Sequence, residues 1–466
     1  MTLAERQAAF AAGLGYDALP PDVVRSVEER FLDTLGIALA ASTLETPRAV
    51  TALAARWGGA PEAAAIGASQ RLPAPSAALV TGTLAHALDF DDTHLPSILH
   101  PSASIVPAVL AAGQAAGASG REAVAAAAAG YEICVRLGMA AYDPELRNNV
   151  FFERGLHATS ICGTIAAAVV AGKLARLDSD GLCAAIGIAA SMGAGLLEAN
   201  RTGGTVKQVH CGWSAHAGLA AAGLAAAGVT GPPTVLEGRF GFFRALCGDA
   251  VDLAAVVDGL GERWETPGIF FKPYPANHFT HAGIDAALAL RAEGLDPDDV
   301  EAIELGAAQP TLRTIAEPPE SKARPPGGYA ARFSGPFTVA SALLGGGGLG
   351  LSLDDFTDEC AADERRLALA ARVRCVPDAE CDARYPHAFA AVLRVRLRSG
   401  ETREHRVMDN RGGPARPLSQ DELALKFRLN AERTLAPERA ARLRDACLNL
   451  RELDSLDDLT THWEDA

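Results

Sequence analysis

The chain has 466 residues, 49% hydrophobic and 21% charged, which excludes a disordered protein and supplies more apolar material than one core usually holds. Forty-two Lys and Arg against 57 Asp and Glu leave a net charge of −15, a surface that repels nucleic acid and anionic membranes. No nucleic-acid or membrane partner is expected, and an anionic substrate would need a local basic pocket. The nine cysteines are dispersed with no CxxC pair, so neither a zinc nor an iron–sulfur site is expected, and free thiols in the cytoplasm are. The opening MTLAERQAAF carries charge too early for a signal peptide, which also predicts a cytoplasmic protein.

In chain order, residues 2–14 predict a helix, and Pro20 and Pro21 open a longer one with Val24, Val27, Phe31, Leu32 and Leu35 on one stripe. Thr46 is expected to cap a third, with Pro47 as its first residue and Gly58 and Gly59 at its end. Ala77–Leu88 and Ala103–Ala116 are apolar with helical spacing, and further helical patterns cover 120–142, 157–176, 179–194 and 209–227. Nothing in this part alternates like a strand, so residues 1–267 predict an all-helical domain. The texture then changes. FKPYPANHF (271–279) predicts an extended segment, Thr280 a cap for a helix through Leu290, Val300–Leu305 a strand, and 307–335 a loop. Phe337–Leu344 and Asp363–Ala371 predict helices, Val373–Val376 a strand. Ala391–Leu397 and Thr402–Val407, joined by Arg398-Ser399-Gly400, predict a hairpin. Residues 268–412 therefore predict a smaller α+β domain. The helical patterns at Ser419–Leu429, Pro437–Leu450 and Ser455–Trp463 return 413–466 to the first domain. The expected fold is mainly α.

The densest polar chemistry is HALDFDDTHLPSILHPSASIVP (86–107), between two apolar helices. Pro96 and Pro101 break helix there. Were the helix to continue, His86, Asp89 and Thr93 would share one face. The bland alternative puts Asp89 or Asp92 in a backbone turn, makes His86 a satisfied core histidine and leaves His94 exposed. With no HExxH or paired ligand spacing, no metal is expected. His100 just precedes a helix start, where free amides favour an anion. The pattern recurs: His157 at the start of the 157–176 helix, Lys207 before the 209–227 helix, and Lys272, Asn277, His278 and His281 leading into the helix after the domain boundary. A Lys buried beside a helix N-terminus implies a bound anion. Four such places together point to a di- or tricarboxylate.

On HALDFDDTHLPSILHPSASIVPA, GYEICVRLG, LHATSICGTIAAA, GTVKQVHCGWSAHAG, FKPYPANHFTHAGIDAAL and RGGPARPLSQDELALKF, the chain resembles the MmgE/PrpD family. The resemblance implies a large helical domain built from both chain ends, a smaller α+β lid, a homodimer and no cofactor. It implies 2-methylcitrate dehydratase, cis-aconitate decarboxylase or iminodisuccinate epimerase chemistry. By motif position it places Asp89, Thr93, His100, His157, Lys207 and Lys272 in the site. Asp89, His100, His157 and Lys207 are the expected catalytic set, and Thr93, Lys272, His278 and Phe337 the substrate contacts. Two departures stand out against the decarboxylase branch. This chain has Asn277 where that branch has a histidine, with His278 displaced by one, and Phe337 where it has a tyrosine hydroxyl. Both weaken the decarboxylase reading; the expected function is a hydro-lyase acting on a small hydroxy-polycarboxylate, with a decarboxylase or epimerase of a related di- or tricarboxylate as the alternative.

Overall fold

The computed structural model describes residues 1–463, with the backbone alone at Arg201 and Thr202. Its chain forms two compact units, one of Met1–Ile269 plus the chain from Phe427 onward, the other of Phe270–Lys426.

The first unit contains α1 (Leu3–Gly13), α2 (Pro21–Ala41), α3 (Glu45–Trp57), α4 (Ala74–His86), α5 (Ser102–Ala116), α6 (Gly120–Ala140), the single turn α7 (Val150–Glu153), α8 (Ala158–Leu174), α9 (Ser179–Ala189), the turn α10 (Ala199–Thr202), α11 (Val206–Ala226) and α12 (Phe242–Leu246). Capping boxes fix the starts of α1 (Thr2 with Glu5) and α6 (Ser119 with Glu122), and Pro21 opens α2, where no amide is needed. The Ala- and Gly-rich composition has a packing purpose. Where α4 crosses α11, a methyl on Gly82 would lie 2.7 Å from Gly212 Cα, so only glycine lets these backbones touch. Against α8, a methyl on Gly218 would lie 2.7 Å from Ala168 N. α11 is thereby pressed onto α4 and α8, which carry His86 and His157.

Among the described residues α6 alone is long and apolar enough to cross a membrane, but 94% of that apolar window is buried in the unit. The ion pair within it, Glu132 with Arg136, is fully buried, and Glu132 Oε1 accepts from the amides of Glu265 and Thr266 (2.8 and 2.9 Å). A buried carboxylate is tolerable because its acceptor capacity is filled.

Several boundaries differ from the sequence expectation. α3 begins at Glu45 behind Leu44, with Thr46 and Pro47 inside its first turn rather than at the cap. α9 stops at Ala189, and Gly193 beyond it packs against the backbone of Ile161 in α8. α11 begins three residues early, which moves Lys207 into its first turn. A two-residue ribbon, β1 (Tyr142–Asp143) with β2 (Asn148–Asn149), interrupts the helices.

The second unit begins with an irregular segment and α13 (His281–Ala292). Thr280 stands at its N-cap position, but its hydroxyl donates to Asn277 O (2.8 Å) and caps nothing. β3 (Val300–Ala307) follows, then α14 (Gln309–Ile315), α15 (Pro319–Ala323) and α16 (Gly328–Ala331) in the stretch expected to be loop. Pro310 and Pro319 sit in first turns, where they start helices instead of breaking them. The unit continues with α17 (Gly335–Leu344), α18 (Asp358–Ala361), α19 (Glu364–Ala370), β4 (Val373–Pro377), α20 (Ala379–Arg384), β5 (Ala391–Leu397) and β6 (Thr402–Val407). The sheet order is β4-β3-β5-β6, with β3–β4 parallel and the other pairs antiparallel. Leu393, Val395 and Leu397 point into the core, whereas Arg394 bridges Glu304 and Glu404 on the other face (3.2 and 2.7 Å), the period-2 alternation of a half-buried strand.

Helix α21 (Gln420–Ala431) carries the chain back, and α22 (Pro437–Leu448) and the short α23 (Asp457–Thr460) complete the first unit. α22 packs on α2. Gly36 of α2 leaves room for Phe427, whose Cα would lie 3.3 Å from a methyl there.

Candidate active site

The insert between α4 and α5 is almost wholly buried. His86, Asp89, Asp91, Asp92, Thr93 and His94 all lie in the interior, and His100 is half-buried. α4 ends at His86, so the single helical face proposed for His86, Asp89 and Thr93 does not form. Asp89 instead adopts a left-handed backbone (φ 52°), a conformation uncommon outside glycine that persists only where the surroundings enforce it. His94 is interior rather than exposed: its Nδ1 pairs with Ser97 Oγ (2.8 Å) and its backbone closes a tight loop on Leu99. Burial lowers its pKa.

Asp92 has the structural role foreseen for one of the aspartates. Its carboxylate accepts from Ser102 N at the start of α5 (3.2 Å), from the Ser102 hydroxyl and from Arg30 (3.1 Å). Arg30 also donates to Ile269 O (2.6 Å), and Ser102 pairs with Tyr131 (2.7 Å). The backbone carbonyl of Asp92 accepts from His100 Nδ1 (2.6 Å). A carbonyl can only accept, so His100 is protonated at Nδ1 and its basic nitrogen is Nε2. Thr93 Oγ1 lies 3.3 Å from the same Nδ1. Thr93 and His100 therefore meet at this shared contact.

Lys207, in the first turn of α11, donates to Asp89 Oδ1 (3.0 Å), and both side chains are interior. The anion foreseen for a buried lysine is thus supplied, in the resting protein, by Asp89. Around this pair stand four imidazoles. His86 Nδ1 meets Asp91 Oδ2 (2.7 Å), and the His86 ring lies 5.8 Å from that of His100 and 5.3 Å from that of His157. His157 is the N-cap residue of α8, and its Nδ1 is 3.0 Å from His210 Nδ1. Burial, with the charges of His86, Lys207, His210 and His100, holds the pKa of His157 well below the usual histidine value. Burial and the charges of His86 and Lys207 push His210 down to about 4. Both rings are thus neutral in the resting protein.

Sequence reasoning passed over His210 and the His86–Asp91 pair. The spacing of Lys207 and His210, three apart on a helix, would have put them on one face. Lys272, His278 and Phe337 belong to the second unit. Lys272 is fully buried but heads no helix, the first turn beyond it being His278–Thr280, so the helix N-terminus expected there is absent. His278 is buried between the rings of Phe270 and Phe389 (5.6 and 5.4 Å) and beside His281 (4.8 Å). Asn277 caps the turn, its side-chain oxygen accepting from Phe279 N (3.1 Å). Phe337 is a fully buried member of that unit's apolar core. No group of three or more His, Cys, Asp or Glu suited to a metal occurs among the described residues.

A buried lysine–carboxylate pair and a group of imidazoles are thus gathered within the first unit. Residues 5–253 match the MmgE/PrpD N-terminal domain and residues 274–452 the MmgE/PrpD C-terminal domain, so the chain belongs to the MmgE/PrpD family. It is 26% identical to the cis-aconitate decarboxylase-like protein oryM of Aspergillus oryzae over 93% of this chain and 91% of that protein. It is 28% identical to human cis-aconitate decarboxylase over 99% and 94%, and 31% identical to the Aspergillus terreus cis-aconitate decarboxylase over 59% and 58%. The family thus includes lyases.

Proposed function

We propose that this protein is a lyase for a small polycarboxylate, working through negative charge built up on carbon next to a carboxylate, and that the reaction is dehydration of a hydroxy acid of the 2-methylcitrate kind. The observation that carries the proposal is the buried Asp89–Lys207 pair beside two neutral imidazoles, His157 and His210. A carboxylate whose neighbouring carbon loses a proton becomes in effect a dianion, and a desolvated ammonium beside it stabilises that charge far more than water would. Lys207 takes this role when a substrate carboxylate displaces Asp89, with Thr93 orienting the substrate. Asp89, His100 and His157 are the proton carriers, and each positioned acid or base contributes ~10²–10⁴-fold. A neutral imidazole begins as an acceptor, so His157 becomes an acid for the departing hydroxyl only after a proton reaches it. That order suits proton abstraction followed by loss of water.

A second reading, decarboxylation of a cis-aconitate-like substrate, is favoured by the names of the relatives. One experiment separates the two. The purified protein is incubated separately with 2-methylcitrate, citrate, cis-aconitate and iminodisuccinate, and proton NMR follows each mixture. A new alkene with no loss of carbon dioxide is expected from 2-methylcitrate. Carbon dioxide release from cis-aconitate would replace dehydration by decarboxylation, and inversion of iminodisuccinate would replace both.

A further inference from the structure

The contact between His157 and His210 carries more than its placement near the site. The two Nδ1 atoms are 3.0 Å apart with both rings buried, so one ring donates and the other accepts: the pair holds a single proton between them. Its position decides the chemistry at the other end of His157. With the proton on His157 Nδ1, Nε2 presents a lone pair and is a base. With the proton on His210 Nδ1, Nε2 of the neutral His157 carries the hydrogen. From this geometry we infer that His210 is a positioning residue that sets the tautomer of His157 and takes over its Nδ1 proton during turnover.

The surroundings hold the pair in register. His157 N donates to Gly195 O (2.9 Å), Ser160 Oγ lies 3.0 Å from His210 O, and a methyl on Gly195 would come within 3.3 Å of His210 Nδ1. The groups whose charges reach the pair are His86 from α4, His100 from the insert and Lys207 from α11, the last itself paired with Asp89. The inference rests on the dehydration proposed above. There, His157 Nε2 takes the proton from carbon while the C–H electron pair stays with the carbon and its carboxylate. The Nδ1 proton passes to His210. It then returns to His157 Nδ1 as the Nε2 proton goes to the hydroxyl, which leaves with the C–O electron pair as water, and both rings are restored.

The test has two arms, and the first needs no reaction. In the resting full-length protein labelled with nitrogen-15, long-range proton–nitrogen correlation should show one protonated and one unprotonated Nδ1 across His157 and His210. Two unprotonated Nδ1 atoms would overturn the inference. For the second arm, His210→Gln keeps a hydrogen-bonding group but cannot hold the proton. On whichever substrate of the panel is turned over, kcat should fall about 10- to 100-fold, less than the ~10²–10⁴-fold of a positioned acid–base group because His210 acts through His157, with KM changed less than about 3-fold and the pH profile displaced. A variant with the wild-type kcat and pH profile also overturns it. If no substrate in the panel reacts, the functional proposal fails and the nitrogen spectrum of the wild-type protein alone decides the pairing.

Discussion

Replacing Arg30 by Met, Asp92 by Leu, and both together tests whether the buried network under the site is held by its charges or by its shape. Both side chains are 1% exposed and 3.1 Å apart. Removing Arg30 strands a carboxylate that burial already pushes toward protonation, and removing Asp92 strands a guanidinium and leaves the Ser102 amide without its acceptor. Breaking a buried pair from one side typically costs ~3–5 kcal/mol, a large share of the roughly 5–15 kcal/mol that holds a folded domain. The double variant loses both charges, so no ion is stranded and two apolar side chains fill the space. It should be less destabilised than the sum of the single variants by about 2 kcal/mol or more. Urea unfolding followed by circular dichroism at pH 7 gives the three midpoints. Additivity within ~0.5 kcal/mol would refute the coupling and with it the claim that Asp92 is held by Arg30. Because the Asp92 carbonyl anchors His100 Nδ1, Arg30→Met should also lower turnover with folded protein still present.

Three further outcomes follow from the same geometry. Lys207→Ala should reduce turnover by ~10²-fold or more while the helical circular dichroism stays unchanged, and retained activity would remove Lys207 from the mechanism. Gly212→Ala would set a methyl on the Leu79 carbonyl oxygen and 2.8 Å from Thr83 N, prying α11 from α4; a loss of ~1–3 kcal/mol in urea is expected, and a neutral result would contradict the close crossing. The third concerns acid. His157 and His210 have depressed pKa values in the fold, His210 about 4, against ~6.5 unfolded, so the unfolded chain binds more protons in that interval and stability rises with pH across it. The penalty is nil above about pH 6.5, grows as pH falls and, for His210, levels off below about 4. The wild-type urea midpoint should drop between pH 7 and pH 5 by more than that of a His157→Gln/His210→Gln variant, and equal drops would count against neutral buried rings.

What the sequence makes legible here is what depends on neighbours along the chain. The helical stripes of α2 and α6 and the alternation of β5 and β6 are local periodicities, and the family motifs lead to Asp89, Thr93, His100, His157 and Lys207. The stretch 307–335 looked like loop because proline counts as a breaker until its place in a first turn is known. The left-handed Asp89 and the interior His94 have no local signal at all, since both follow from how the insert folds back between α4 and α5. His210 is an intermediate case. Its spacing from Lys207 was readable, but its partner lies 53 residues away and only the crossing of α11 over α8 brings them together.

Closure of the first unit depends on chain that is synthesised after the whole of the second unit. Glu28 receives Arg451, Leu453 O accepts from Gly120 N, and Gly36 receives Phe427, yet 157 residues (426 − 269) intervene between Ile269 and Phe427. At roughly 5–20 residues per second, the nascent segment bearing Asp89, His157 and Lys207 waits about 8–30 s for the helices that complete its core. The second unit, being continuous, can condense during that interval. Translation pauses within the second unit would therefore endanger the helical segment made before it.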